Sequence, residues 1–332
     1  MLQFELNKRR YHFIHNNKML FIVLLGLLIP FGMGCQRKGK IIQETAPPNP
    51  LVASKLPNIQ GHLLASNRSI FYRSARLSVP EANTILQGFT YKATASYQMI
   101  NKNRHLNLIE HYTLLQRNDG SFHAKIRNNH KKGYDAIWTG KNLYWRGLYR
   151  PYRVTSHNIR IARRWQALGF GRWRSFVAIF GSHIILSEKG ACQQIGRDCR
   201  RYKINFSEQT IGKIPKQKGT AWSGPLSGHT RGLAQKYKRE PLSAKGTLWV
   251  DRRSGLVLKI KFQGRYRIKA KSNNTLAKVQ LAAAFIQSGN PVVKPPTKIT
   301  KIIREPEPLD AFRRKRPFFL LQPPKKKKKK KK

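Results

Sequence analysis

The stretch Phe89-Thr90-Tyr91-Lys92-Ala93-Thr94-Ala95-Ser96-Tyr97-Gln98-Met99 alternates apolar and polar side chains without a slip. A strict period of two belongs to a strand buried on one face, because successive side chains of an extended chain point to opposite sides. Working outward, Asn101-Lys102-Asn103 reads as a turn, and Leu106, Leu108, Tyr112 and Leu114 continue on alternate positions, with Glu110 the exception. Asn118-Asp119-Gly120 turns the chain again, followed by Phe122, Ala124 and Ile126. Tyr134 to Trp138 and Leu143 to Trp145 form a further strand pair joined by Thr139-Gly140-Lys141-Asn142, and Tyr149 and Tyr152 extend the pattern. Connections this short join antiparallel neighbours, so the fold is predicted to be mainly β.

Upstream, Pro80-Glu81-Ala82-Asn83 with Ile85 and Leu86 opens a short helix, with Ser78 as its cap. Downstream, between Ile159 and Phe180, the period lengthens. Trp165, Leu168, Trp173, Phe176, Val177 and Phe180 fall near one helical face, and Gly169 and Gly171 split the segment into two short helices. Tyr202 to Phe206 returns to strand, and residues 207–240 are irregular. Thr247-Leu248-Trp249-Val250 then runs through Asp251-Arg252-Arg253-Ser254-Gly255 into Leu256, Leu258, Ile260, Phe262, Tyr266, Ile268 and Ala270 on alternate positions. Gly264 falls in that apolar register, where a bend or bulge fits. Ala277, Val279, Leu281, Ala283 and Phe285 read as the closing strand, a helix being the alternative. Beyond Gly289 the period is lost, and no internal repeat is present.

The two ends carry different signals. Lys8, Arg9, Arg10 and Lys18 precede the apolar run Met19 to Phe31, which is too short for a bilayer-spanning helix but suits a secretory signal. The run ends Phe31-Gly32-Met33-Gly34-Cys35, which resembles the lipobox of bacterial lipoproteins and makes Cys35 the candidate lipidated residue. Gly32 stands where such a motif usually has Leu, and Arg37, Lys38 and Lys40 follow at once. An uncleaved anchor or an ordinary signal peptide is the alternative. Gln36 is not the Asp that, in enteric bacteria, diverts a lipoprotein from the outer membrane. The expected organisation is a signal segment at 1–35, a tether at 36–62, a folded domain at 63–290 and a Pro/Lys-rich tail at 291–332.

The chain has 66 Lys+Arg against 14 Asp+Glu, a formal net charge of +52. Such a balance favours anionic partners and self-repulsion without specifying a fold. The tail ends Lys325, Lys326, Lys327, Lys328, Lys329, Lys330, Lys331 and Lys332, a candidate for contact with anionic envelope surfaces or simply a solvated tail. Specific nucleic-acid recognition is not expected; it would come into question only for an uncleaved chain facing the cytoplasm.

Enzyme signatures are missing: there is no His-Glu-x-x-His, no Gly-x-Ser-x-Gly and no Walker loop, and Gly169-Phe170-Gly171 lacks the third glycine of a dinucleotide fingerprint. No catalytic residue, cofactor or metal site is therefore assigned. His105, His111 and His123 sit on adjacent expected strands, where a solvated face explains them best. Cys192 and Cys199 flank six residues and suit a disulfide loop, with unpaired thiols or a metal as alternatives.

The sequence from Gly246 to Ile260, a strand, an Asp, a turn, a Gly and a second strand, resembles the corresponding hairpin of LolA/LolB-like lipoprotein carriers and their lipid-anchored relatives. The resemblance spans about residues 85–288 and is one of pattern. It implies an antiparallel incomplete β-barrel (a half-barrel) around a short helical plug, with an apolar cavity for acyl chains. Tyr91, Tyr97, Tyr112, Trp138, Trp249, Phe262 and Tyr266 on the strands, and Trp165, Trp173 and Phe176 on the plug, are its candidate lining, unless they simply fill a solid core. The expected function is that of a non-enzymatic envelope lipoprotein, anchored on the periplasmic side of the outer membrane, that binds or relays a lipid or acylated cargo. The alternative is a structural module that attaches to anionic glycolipid or wall polymer through its basic surface and tail.

Overall fold

The computed structural model describes residues 59–101, 104–155, 159–214, 238–269 and 274–301. The signal segment with Cys35, the chain up to residue 58, residues 215–237 and the tail with Lys325 to Lys332 lie outside them.

The opening alternation is β1 (Phe89–Asn101), and it begins a meander of β2 (Arg104–Gln116), β3 (Phe122–Asn128), β4 (Gly133–Trp138), β5 (Leu143–Gly147) and β6 (Tyr152–Thr155). Two helices follow, α3 (Ile159–Ala167) and α4 (Arg172–Phe180), broken at the glycines as the sequence predicts. A second meander comprises β7 (Ile184–Gln194), β8 (Arg197–Phe206), β9 (Lys238–Asp251), β10 (Val257–Lys269) and β11 (Asn274–Ser288), and β12 (Ile299–Lys301) ends the described chain. All twelve strands share one open sheet, in the order β12-β6-β5-β4-β3-β2-β1-β11-β10-β9-β8-β7. Every neighbouring pair is antiparallel except β12 with β6. The strand read as closing thus lies mid-sheet: β11 pairs with β1 from Phe89↔Ser288 to Ile100↔Leu276 and joins the two meanders.

Before the sheet come α1 (Arg68–Ala75), whose N-cap Asn67 accepts from the backbone of Ser69 and Ile70, and α2 (Val79–Leu86). Ser78 and Glu81 close a reciprocal capping box on α2, with Pro80 in its first turn. The hairpin between β9 and β10 fastens this N-terminal part. Asp251 accepts from the backbone N–H of Arg253 (3.1 Å) and Ser254 (2.7 Å) and from the Arg197 guanidinium (2.5 Å). Gly255 has φ +69°, and a Cβ there would run into Ile59. Ser74 Oγ donates to the Gly255 carbonyl at 2.5 Å, and Tyr202 OH donates to the Gly61 carbonyl at 2.8 Å. Ile59 is 3% exposed, so packed structure begins within the segment expected to be tether.

Other expectations are corrected. Leu248 and Val250 are fully buried, whereas Trp249 faces away from the helices with the Lys259 ammonium 5.0 Å from its ring centre. Three consecutive apolar residues carry no parity, so the sequence could not fix the face. Tyr149 is 81% exposed, with φ +63°, in the turn before β6 rather than in a strand. Residues 299–301, within the stretch read as tail, pair with β6 in parallel. The irregularity expected at Gly264, by contrast, is present: the β9–β10 register shifts beside it, between Arg265 and Tyr266, and Gly264 admits the Phe180 ring, which lies 2.6 Å from where a Cβ would stand.

Candidate functional site

Strand parity gives the sheet one apolar face, and the helices settle on it. In α3, Ile161, Ala162 and Trp165 turn inward while Arg163 is exposed; in α4, Trp173, Phe176, Val177 and Phe180 turn inward. The C-terminal end of α3 is tied to β2: Tyr112 OH donates to the Gln166 carbonyl (2.7 Å) and Gln166 Nε2 to Gln116 Oε1 (2.7 Å). Glu110, the polar exception in β2, is paired in the core with Arg172 of α4 at 2.7 Å, each side chain 3% exposed. The Arg172 guanidinium also lies over the Tyr97 ring, 5.5 Å from its centre.

Between the α1–α2 connection, the α3–α4 break and the sheet lies a cavity of about 370 Å³, toward the small end of ligand sites. Its apolar wall includes Leu77, Val79, Tyr91, Phe170, Leu256 and Ile260, with Trp173 and Ala283. Arg76, Arg163 and Arg174 also line it, and no carboxylate is among its described lining residues. Partial burial and the neighbouring Arg76 charge both hold the Arg174 guanidinium below its usual range. Burial pushes the Tyr91 phenol far upward, partly offset by Arg172, so it stays neutral. The indole N–H of Trp173 has no acceptor among the described residues.

Of the residues the sequence offers as cavity lining, Tyr91 and Trp173 line this space. Phe262 is packed by Trp173 (ring centres 5.5 Å apart), Phe176 (5.6 Å) and Phe180 (5.3 Å). Tyr97 meets Phe176, Tyr266 meets Phe180, and Trp165 meets Tyr134. Tyr112 is held by its bond to Gln166, and Trp138 is fully buried. These side chains are core. Phe170 escaped the sequence reading, although its place between two glycines at a helix break signals an apolar side chain held at a turn. It completes an aromatic cluster with Phe89, Tyr91 and Phe285.

Cys192 and Cys199 stand opposite each other in the β7–β8 hairpin and are bonded, with Cα atoms 4.9 Å apart. The turn between them places Ile195 and Gly196 at positive φ, the geometry of a two-residue hairpin loop. The histidines do not converge: His111 bonds the Thr94 hydroxyl (3.1 Å), and His123 lies 3.9 Å from Asp135. Burial, aided by Lys125, pushes His123 down to about 4. Asp135 is raised by burial but held below the usual carboxylate range by Arg127 and Arg146, at 3.1 and 2.8 Å. Among the described residues, no three His, Cys, Asp or Glu side chains group as a metal ion requires.

No protein-family model matches the sequence, and no curated protein is found similar to it. Solved structures that resemble it distantly include MucB (10% identity, TM-score 0.22, covering 70% of this chain and 60% of MucB) and the lipoprotein LppX of Mycobacterium tuberculosis (13%, TM-score 0.24, 68% and 99%). Another is a putative outer membrane lipoprotein-sorting protein domain from Vibrio parahaemolyticus (9%, TM-score 0.19, covering 58% and 85%). The chain thus spans about 60% of the length of MucB, and its likeness to these structures is distant.

Proposed function

We propose that this chain is a non-enzymatic envelope lipoprotein, a LolA-like half-barrel that holds the acyl part of an anionic amphiphile between its helices and its sheet. The observation that carries the reading is the lining of the 370 Å³ cavity, an apolar wall with Arg76, Arg163 and Arg174 beside it. An acyl chain gains about 0.8 kcal/mol per methylene removed from water, and guanidinium groups favour a phosphate or carboxylate head. The buried acids fit a binding role, since Glu110, Asp135 and Asp251 are each engaged by arginine. In this reading Cys35 carries the lipid anchor on the periplasmic side of the outer membrane, and the chain up to residue 58 gives the domain reach.

Native mass spectrometry of the protein recovered from a bacterial envelope tests this. A bound mass released on denaturation as phospholipid or acylated cargo is expected. Ala283→Phe, which grows a ring into the cavity, is expected to abolish it. A clean apo mass from the unsubstituted chain, with no uptake of added fluorescent fatty acid, overturns the proposal.

A further inference from the structure

The face of the sheet turned away from the helices carries a second concavity, of about 890 Å³, running across β8, β9, β10, β11 and β1. Small side chains make up its outward-facing floor: Thr94 and Ser96 on β1, Thr247 on β9 and Ala282 on β11. Lys203 and Lys261 both lie beside Thr247 in the strand register, two strands apart and so roughly 10 Å from each other. Lys245 stands two residues along the same face of β9. Beyond the groove, Arg265 sits directly opposite Lys278, a like-charge placement that costs stability. No described lining residue is acidic. At the end of β9, Glu240 is taken by Arg267 and Lys269, each at 3.1 Å.

We infer that this groove is a binding site for a linear phosphodiester polymer of the polyol-phosphate kind, separate from the cavity under the helices. Three features converge on that occupant. Positive charge repeats across strands without carboxylates to answer it, so the complement is a polyanion. The lining runs across five neighbouring strands but takes only two to four residues from each, so the site is longer across the sheet than along it, as a single bound chain requires. Its outward-facing side chains are lysines, small residues and amides; of the two aromatic residues in its lining, Phe262 is buried in the core and Phe206 is stacked on His183, so neither offers the open platform that single-stranded nucleic acid uses for base stacking. Gln263 and Gln280, directly opposed in register, offer amides to polymer hydroxyls.

The test uses the full chain and poly(glycerol phosphate), with binding followed by calorimetry at several salt concentrations. The groove variant is Lys203→Glu, Lys245→Glu and Lys261→Glu together. The control reverses three exposed lysines elsewhere, Lys141, Lys213 and Lys294, to Glu, giving the same change in net charge. The groove variant is expected to bind about tenfold or more weakly, with the slope of log K against log salt reduced by roughly 2, while the control binds within about twofold of the parent. Should the triple reversal unfold the protein, the single Lys261→Gln is expected to show a smaller loss in the same direction. Equal losses in groove variant and control, or no loss in either, overturn the proposal. So does tighter binding of single-stranded DNA or anionic vesicles at matched salt.

Discussion

Glu110 and Arg172 meet where the strand pattern calls for an apolar residue. Removing two charges from water costs several kcal/mol per ion, and their attraction repays this only in good geometry. Glu110→Gln leaves the Arg172 charge buried against a weaker acceptor, so it is expected to lower stability by about 3 kcal/mol, read as a lower urea midpoint. Glu110→Leu combined with Arg172→Met removes both charges and is expected to recover most of that loss. A double variant as unstable as the single one would show that the pair's hydrogen bonds, and not its charge balance, hold this part of the core.

The break between α3 and α4 depends on space more than on helix propensity. A Cβ on Gly169 would stand 1.9 Å from the Tyr112 ring, which is itself fixed by its bond to Gln166. Alanine favours a helix over glycine by about 1 kcal/mol, but overpacking of this kind costs roughly 1–3 kcal/mol and wins here. Gly169→Ala is expected to lower the thermal midpoint, whereas Gly171→Ala, whose Cβ would meet only the Ala167 carbonyl at 3.3 Å, should leave it nearly unchanged. Equal effects from the two would refute the steric account. Both glycines were readable as a helix break, and most strands were readable because one face is wet; β4, where Asp135 and Ile137 are buried along with Ala136 and Trp138, is the exception. Which aromatic residues bound a cavity was not readable, since Tyr91 and Tyr97 share strand and parity and differ only in what the helices place over them. Nor was the β1–β11 pairing, because a period of two carries no register between strands far apart in sequence. Trp249 was misplaced for a third reason: its neighbours Leu248 and Val250 are also apolar, which erases the alternation.

Across the whole molecule, a net charge of +52 makes self-repulsion a term of the same standing as packing. Specific ion pairs such as Arg127–Asp135 and Arg197–Asp251 weaken in salt, but so does the repulsion among the many cations, and the second effect is expected to dominate. Raising ionic strength from about 50 mM to about 500 mM shortens the Debye length to a few ångströms; the thermal midpoint should rise by several degrees. A midpoint that falls would mean the few acids outweigh the many bases.

The same charge bears on how the chain reaches this state. The first meander can form as soon as its residues are available, yet one edge of β1 has no partner until β11, whose pairing extends to Ser288, is in place. Loop closure over so long a separation costs little more free energy than over a short one, but contacts this distant form late. During that interval two incomplete copies could join edge to edge, the usual start of aggregation. A strongly cationic chain holds its copies apart through that exposure, so the excess of lysine and arginine protects the molecule before it folds as well as shaping its surface afterwards.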